Sequence, residues 1–462
     1  MRLSEWITAG SLSLPCALAA LTAPDFTNSD SLKQTASIVA KDLISFYKGE
    51  DKDWIYAIGI LPGPPPEGDY YWWIGGAMWG TLLDYRHATG DETYDKMITR
   101  SMIEQSGENK DFMPANWTAS MGNDDQGFWA MTAMLAVETN FPAPPKETKL
   151  DWLALVQAVW NEQTMDERRA ITKDKDSRCE GGLRWQAHSV NNGWDYINTI
   201  SNGIYFNLGA RLARYTGNKT YAEHSEKTFE MLERLSYIDK EGNVHDGAHL
   251  PKNCLDVNKL QFSYNAAVLI QGAAYMYDVT GQSQKWKDRL NLLVDRSLAV
   301  FLPKGIAFEY ACEGVSSCNV DMRSFKGYLH RWVSQATVLA PFIKDRVMAA
   351  FETSARAGVA ACQGGDNGQM CGFAWEQGGF DRASAVHQMN VLGALTGLMM
   401  KDAKPPVTNA TGGTSVGDAN AGQKLAELRP RAPITTGDRV GAGILTSLVL
   451  AGFAGACVWM SF

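Results

Sequence analysis

Hydrophobic residues recur along this chain in a two-part rhythm. A nearly continuous apolar run of helical length gives way, after a short turn, to a stretch in which apolar and polar residues alternate at the spacing of a helix with one buried face. Positions 31–47 predict the first amphipathic helix. The apolar run 77–87 and the more polar 92–105 form a pair joined at Thr89-Gly90, and the phrase returns at 201–215 with 221–235, joined at Thr216-Gly217, and at 264–279 with 286–301, joined at Thr280-Gly281. These Thr-Gly turns lie 127 and 64 residues apart, so a period of about 64 predicts a degenerate copy between the first two. It is present: an apolar helix opens at Asp124-Asp125 and ends near Asn140, with an amphipathic partner at 152–163. Positions 325–342 with 345–362, and a last apolar helix at 383–400, complete six apolar and six more polar helices.

An alternating series of that length finds cover for every face when an apolar inner ring is wrapped by an amphipathic outer ring, which predicts an all-α fold, an (α/α)6 barrel of six helical hairpins. An open α-solenoid of stacked hairpins is the alternative. Loops leaving the apolar helices are short in most repeats, whereas those entering them are long, at about 49–71, 107–123, 166–199, 237–261, 303–324 and 363–382. Function concentrates on long loops held by a rigid scaffold. Trp72-Trp73, Asp124-Asp125-Gln126, Ser201-Asn202, Tyr264-Asn265, Phe325-Lys326-Gly327 and His387-Gln388 would therefore ring one mouth of the barrel.

Composition narrows the setting. A net charge of −8 and the lack of any Lys/Arg cluster exclude a nucleic-acid partner. The 15 tryptophans are about twice an average share, and several fall in loops where an indole suits a sugar face. Residues 1–23, with Arg2, a weakly apolar middle and small residues at 17–20, read as a secretory leader. Residues 24–402 hold the barrel and 403–440 a flexible linker rich in small and polar residues. The uncharged 441–462, with no basic tail after it, reads as a GPI-attachment signal, with a C-terminal membrane anchor as the alternative. Once both ends are removed six cysteines remain, an even set that in an exported chain predicts disulfides: Cys312–Cys318 and Cys362–Cys371 over short loops, leaving Cys179–Cys254. Metal is not expected, because Cys-x-x-Cys and paired His at ligand spacing are both missing. Asn116, Asn218 and Asn409 each open an Asn-x-Thr glycosylation acceptor.

Chemistry centres on Asp124-Asp125. Adjacent side chains at a helix start stand about 5 Å apart, the carboxylate separation of a retaining glycosidase. Burying both obliges at least one to keep its proton. The alternative is ordinary helix capping, an N-cap Asp followed by a first-turn Asp. Bulky aromatics and amides at the other helix starts exceed what capping needs and favour the catalytic reading.

Asp124-Asp125-Gln126-Gly127-Phe128-Trp129, with Gly181-Gly182-Leu183-Arg184-Trp185, Thr199-Ile200-Ser201-Asn202-Gly203, Tyr264-Asn265 and Phe325-Lys326-Gly327, resembles glycoside hydrolase family 76, in particular its fungal GPI-anchored mannan endo-1,6-α-mannosidases of the cell wall. The resemblance spans roughly 30–400. It implies an (α/α)6 barrel and retaining chemistry on α-1,6-linked mannose without a cofactor, with Asp124 as nucleophile and Asp125 as acid/base. Gln126, Asn202, Tyr264 and Asn265 become candidates for mannose hydroxyls, and Trp72, Trp73, Trp129 and Trp185 for stacking. Lys326 and Arg184 could bind an anionic group or pair with loop carboxylates. The implied task is cleavage of α-1,6-mannan or of the GPI core glycan, with wall β-glucan as acceptor if the enzyme transfers rather than hydrolyses. A noncatalytic wall-glycan binder is the competing reading, although a binder has no use for two crowded carboxylates.

Overall fold

The computed structural model describes residues 20–52, 57–172 and 177–423, with scattered positions from 437 to 450. It separates into two units, Met1–Gly422 and Gln423–Phe462. In the first, twelve helices longer than two turns follow the predicted rhythm: α1 (Ser29–Ile44), α2 (Trp72–Thr89), α3 (Asp95–Gln105), α4 (Asn123–Glu138), α5 (Trp152–Thr164), α6 (Thr199–Thr216), α7 (Lys219–Arg234), α8 (Ser263–Val279), α9 (Gln284–Phe301), α10 (Phe325–Leu339), α11 (Lys344–Ala360) and α12 (Ala385–Met399). The even-numbered helices form the inner ring. Each packs on the next, from α2 through α4, α6, α8 and α10 to α12, and α12 returns to α2. That closure makes a barrel rather than a solenoid.

Local chemistry explains the turns between inner and outer helices. Gly90 and Gly217 end α2 and α6 with φ of 78° and 74°, a left-handed geometry that glycine adopts without a Cβ clash. Outer helices α1, α5 and α7 start on Asn28, Asp151 and Asn218, whose side chains accept from first-turn N–H groups. Inside the barrel, towards the inner C-termini, buried polar side chains are matched. Arg211 Nη2 donates to Glu138 Oε2 at 2.6 Å, and Arg331 donates from Nε to Asp84 while Gln335 Nε2 reaches the other Asp84 oxygen at 2.6 Å. Nearer the inner N-termini Trp73, Phe128, Tyr328 and Trp332 stack between these ion pairs and the mouth.

Long loops cover the inner N-terminal end. Two short antiparallel ladders, β1 (Tyr196–Asn198) with β2 (Gly247–His249) and β3 (Cys362–Gly364) with β4 (Met370–Cys371), knit them together. Disulfides Cys179–Cys254, Cys312–Cys318 and Cys362–Cys371 form as the spacing predicts, all within these loops.

Two boundaries differ from expectation. Leu21, assigned to the leader, is buried and donates its N–H to Cys362 O at 2.9 Å, so the folded body begins at or before it. The linker expected to be flexible from 403 is, as far as 422, a strap. It crosses the inner C-termini, where Val407 N–H meets Glu138 O and Asn409 N–H meets Tyr215 O, then climbs α5, where Asn161 Nδ2 donates to Ala419 O and Ala421 O. Asp151 does double duty there, since its Oδ1 caps α5 and also accepts from Gly417 N–H. Repeated small residues let the strap lie close to the helices. In the second unit the described positions from 441 to 450 are helical, and no described helix is long and apolar enough to cross a membrane. Residues 1–19 of the leader and most of the 441–462 tail lie outside the described residues.

Candidate active site

Loop walls and inner-helix starts enclose a cavity of about 740 Å³ at the mouth. Tyr71, Trp72, Trp73, Trp117, Phe128 and Trp185 supply aromatic surface, and Tyr264 stacks on Phe325 with ring centroids 3.8 Å apart and planes 4° from parallel. Four carboxyls, Asp124, Asp125, Asp246 and Asp321, line it, while among the described residues no lining side chain is Lys, Arg or His. Local charge balance comes partly from the backbone. Helices α2, α4, α8 and α10 all begin at the mouth with no side chain from the N-cap residue closing them, so the positive ends of their dipoles lie on the side of the acids.

The Asp pair sits in the first turn of α4. Gly122 is the N-cap, and Asp125 Oδ2 accepts its N–H at 2.7 Å in the manner of a capping box. Asp124 Oδ1 accepts Asp125 N–H at 3.0 Å, and its Oδ2 faces Asn198 Nδ2 at 3.4 Å. Capping is thus met through Asp125, but capping does not account for Asp124, which is 9% exposed and turned into the cavity. Burial pushes Asp124 up to about 7, opposed by the Asp125 N–H and by bonds from Asn198 and Trp185. Asp125 is also held well above the usual carboxylate range: burial raises it, the neighbouring Asp124 charge adds to that and Asp321 contributes, against the Gly122 N–H. Burial thus pushes both carboxyls towards their protonated forms, and two charges so close together disfavour simultaneous ionisation of the pair.

The other two acids were not singled out from sequence. Asp321, raised to about 6 by burial, is bonded to Trp73, and its Oδ1 is buried with no hydrogen-bond partner among the described residues. Asp246 is raised by burial and accepts from Tyr196 Oη at 2.7 Å and from Asn258 and Asn265. Lone aspartates in long loops carry no spacing signal. Only the length of those loops pointed to them.

Of the residues expected around the mouth, Trp72, Trp73, Trp185, Tyr264 and Phe325 line the cavity with the Asp pair. Ser201, Gly327, His387 and Gln388 do not, nor do six of the residues expected to touch a ligand. Gln126 turns to the far side of α4, because two helical positions rotate it by about 200° from Asp124, whereas Trp129 lies one turn deeper than Asp125, against α2. Gln126 Nε2 donates to Asp111 O and Glu162 Oε2, and Trp129 is fully buried between Trp72 and Phe112. Asn202 is locked to both backbone atoms of Leu183, and Asn265 lies buried behind Asp246. Lys326 is 1% exposed and bonded to Glu313 and to Phe373 O, so it follows the ion-pair alternative. Arg184 does neither of the things expected, donating to carbonyls of Arg169 and Trp194 and stacking on the Trp194 ring at 3.6 Å. Asn116, Asn218 and Asn409 are exposed, on a mouth loop, at the start of α7 and in the strap.

Comparison with known proteins agrees with this geometry. The profile of Glycosyl hydrolase family 76 matches residues 31–410. Mannan endo-1,6-alpha-mannosidase DCW1 of Saccharomyces cerevisiae is 39% identical over 443 residues, 95% of this chain and 95% of the relative. The crystal structure of Dfg5 from Chaetomium thermophilum in complex with glucosamine superposes with a TM-score of 0.83 at 47% identity, over 88% of this chain and 100% of that one. An inactive variant of an α-1,6-mannanase from Salegentibacter sp., in complex with α-1,6-mannotriose, shares the fold with a TM-score of 0.63 at 16% identity, over 80% of this chain and 100% of that one.

Proposed function

The chain belongs to glycosyl hydrolase family 76, and on that premise we propose that it is a retaining glycosidase or transglycosidase that cleaves α-1,6-linked mannose with Asp124 as nucleophile and Asp125 as acid/base. The observation that carries the assignment is geometric: Asp124 and Asp125 lie in one helical turn at the base of an aromatic-walled cavity, Asp124 turned into it and Asp125 accepting the Gly122 N–H, with burial pushing both carboxyls up. Asp125 protonates the leaving oxygen as Asp124 attacks the anomeric carbon. The glycosyl ester that forms carries no charge on Asp124. Its repulsion of Asp125 then disappears, and the same carboxylate can take a proton from the incoming hydroxyl.

The donor is the GPI core glycan or an α-1,6-mannan, and the cavity's charge favours the first. A neutral mannan needs only the catalytic pair, whereas Asp246 and Asp321 add two acids with no basic side chain among the described lining residues to offset them. That surplus suits a glycan carrying a free amine, in keeping with the glucosamine held by the Chaetomium relative. The acceptor is wall β-glucan. A retained ester can be opened by a sugar hydroxyl where the site excludes water. Aromatic walls supply that exclusion. The disulfides and the uncharged C-terminal stretch support export and GPI anchoring at the outer face of the plasma membrane, beside the wall.

A chain running from Ala20 to Gly422, which keeps the strap, is incubated with α-1,6-mannotetraose or a synthetic amine-bearing GPI-core glycan, with and without a β-1,3-glucan oligosaccharide. Products are weighed by mass spectrometry. Shortened donor, lost in Asp124→Asn and Asp125→Asn, is expected, together with a product heavier by the acceptor. Intact donor under all conditions overturns the proposal.

A further inference from the structure

Behind the catalytic pair, where α4 faces α5, lies a second cluster of ionisable groups that the reaction does not touch. Asp111 follows α3, Glu162 is in the last turn of α5, and Arg168 comes just after it. Asp111 and Glu162 are 2% and 4% exposed, and the Arg168 side chain 12%. Arg168 Nη2 lies 3.3 Å from Glu162 Oε2, and Nη1 donates to Asn123 Oδ1 at 2.7 Å. Burial, with the Asp111 charge second, pushes Glu162 up to about 8. Burial raises Asp111 as well, and the Arg168 charge opposes the shift of both carboxyls.

The cluster meets α4 at Gln126, whose Nε2 donates to Asp111 O and Glu162 Oε2, and Arg168 meets it at Asn123, the first residue of the helix. Asn123 is fully buried, and its bonds run in three directions. Its N–H donates to Trp185 O at 2.7 Å and its Nδ2 to Arg184 O at 2.9 Å, while Gln163 Nε2 donates to its carbonyl at 2.8 Å. Arg168 fills the remaining side-chain acceptor. Asn123 thereby fastens the start of α4 to the segment that brings Trp185 and Gln186 into the cavity and to the end of α5.

We propose that Arg168 is a positioning residue for the catalytic pair, acting through Asn123 to hold the first turn of α4 in place while Asp124 passes between carboxylate and ester. The requirement is physical. A helix's first turn lacks intrahelical partners for its N–H groups and is the part most easily frayed. When Asp124 is esterified, its repulsion of Asp125 and its attraction to the helix dipole both vanish, so a first turn held only by those forces would relax. A displacement of about 1 Å at a reacting centre can cost about 100-fold in rate. Asn123 bonded on three sides holds the turn in both charge states.

This inference rests on the catalytic reading of Asp124 and Asp125, and its test separates the two. Turnover of α-1,6-mannotetraose or of the amine-bearing GPI-core glycan by the wild-type chain, lost in Asp124→Asn and Asp125→Asn, establishes that reading, and wild-type inactivity on both donors would overturn both proposals. Arg168→Met, Arg168→Lys, Asn123→Ala and the double variant Arg168→Met with Asn123→Ala are then compared on the donor turned over and on an activated aryl α-mannoside. Arg168→Met and Asn123→Ala are each expected to lower kcat by about 10- to 100-fold on both substrates, with KM changed by less than about threefold. Because both break one link, the double variant should be no slower than the slower single one. Arg168→Lys keeps a cation beside Glu162 but cannot also reach Asn123, so it should retain the wild-type Tm and lose kcat like Asn123→Ala. It also carries the test if Arg168→Met does not fold. Wild-type kcat in Arg168→Lys, losses that multiply in the double variant, or a rise in KM at constant kcat would each overturn the proposal.

Discussion

Replacing Asp124 with Asn should abolish turnover and at the same time stabilise the fold. Burial holds the Asp124 carboxyl at about 7 against an ordinary 3.8. The folded state therefore binds this proton more tightly than the unfolded chain does. The group costs nothing below the unfolded value, costs progressively more as pH rises towards 7, and costs a constant amount above that. At about 1.4 kcal/mol per tenfold change in ionisation, the ceiling near pH 7 is about 4 kcal/mol. An Asn amide still accepts the Asp125 N–H, but it sets a donor against Asn198 Nδ2, which now faces a carboxylate oxygen at 3.4 Å. Losing that contact costs about 1 kcal/mol. Asp124→Asn is therefore expected to gain about 2–3 kcal/mol at pH 7 and to lose that advantage by pH 4, where the aspartate is protonated. Urea denaturation of the 20–422 chain at pH 4, 5.5 and 7 measures it, with turnover assayed in parallel. A variant less stable than wild type at pH 7, or a gain equal at pH 4 and 7, would refute the reasoning.

Three further outcomes follow from the same structure. Removing the Cys179–Cys254 disulfide by a double Ala substitution opens a loop with a sequence separation of 75 residues and should cost about 4 kcal/mol by chain entropy, read in urea denaturation. Ending the chain at Ala403 instead of Gly422 removes the strap's bonds to Glu138, Tyr215 and Asn161 and should lower Tm, with kcat unchanged in the folded fraction because the strap lies outside the cavity lining. Burial and the nearby carboxylates hold the Tyr264 phenol well above its usual range, so it faces the cavity as a donor. Tyr264→Phe should raise KM for mannotetraose by about 5- to 10-fold, the equivalent of one hydrogen bond, without changing the pH profile.

The architecture was legible because it is periodic. Thr-Gly turns at 89, 216 and 280 mark the repeat, and the structure places a left-handed glycine at each one. Loop polarity also followed from sequence, since length alone showed which end carries the mouth. What was not legible was direction around the helix axis. Trp72, Trp73 and Asp124-Asp125 face inward, yet Gln126 and Trp129, a few positions along, face α5 and α2. A motif names its residues without saying which of them turn away. Asn202, Asn265 and Lys326 matched family motifs too, and each serves a neighbour: the Leu183 backbone, Asp246 and Glu313. Asp246 and Asp321 stayed hidden for the opposite reason, being single acids in loops without periodicity. The strap hid behind its composition. Small and polar residues that read as a flexible linker also let a backbone lie flat against helices.

The most direct test of the central claim is to trap the glycosyl-enzyme. The 20–422 chain is treated with a 2-deoxy-2-fluoro-α-mannosyl donor bearing a good leaving group and digested, and the peptide that gains the fluorosugar mass is sequenced by mass spectrometry. A single label on Asp124, missing in Asp124→Asn, is the predicted result. A label on Asp125, or turnover of mannotetraose by a chain in which Asp124 never carries sugar, would contradict the account.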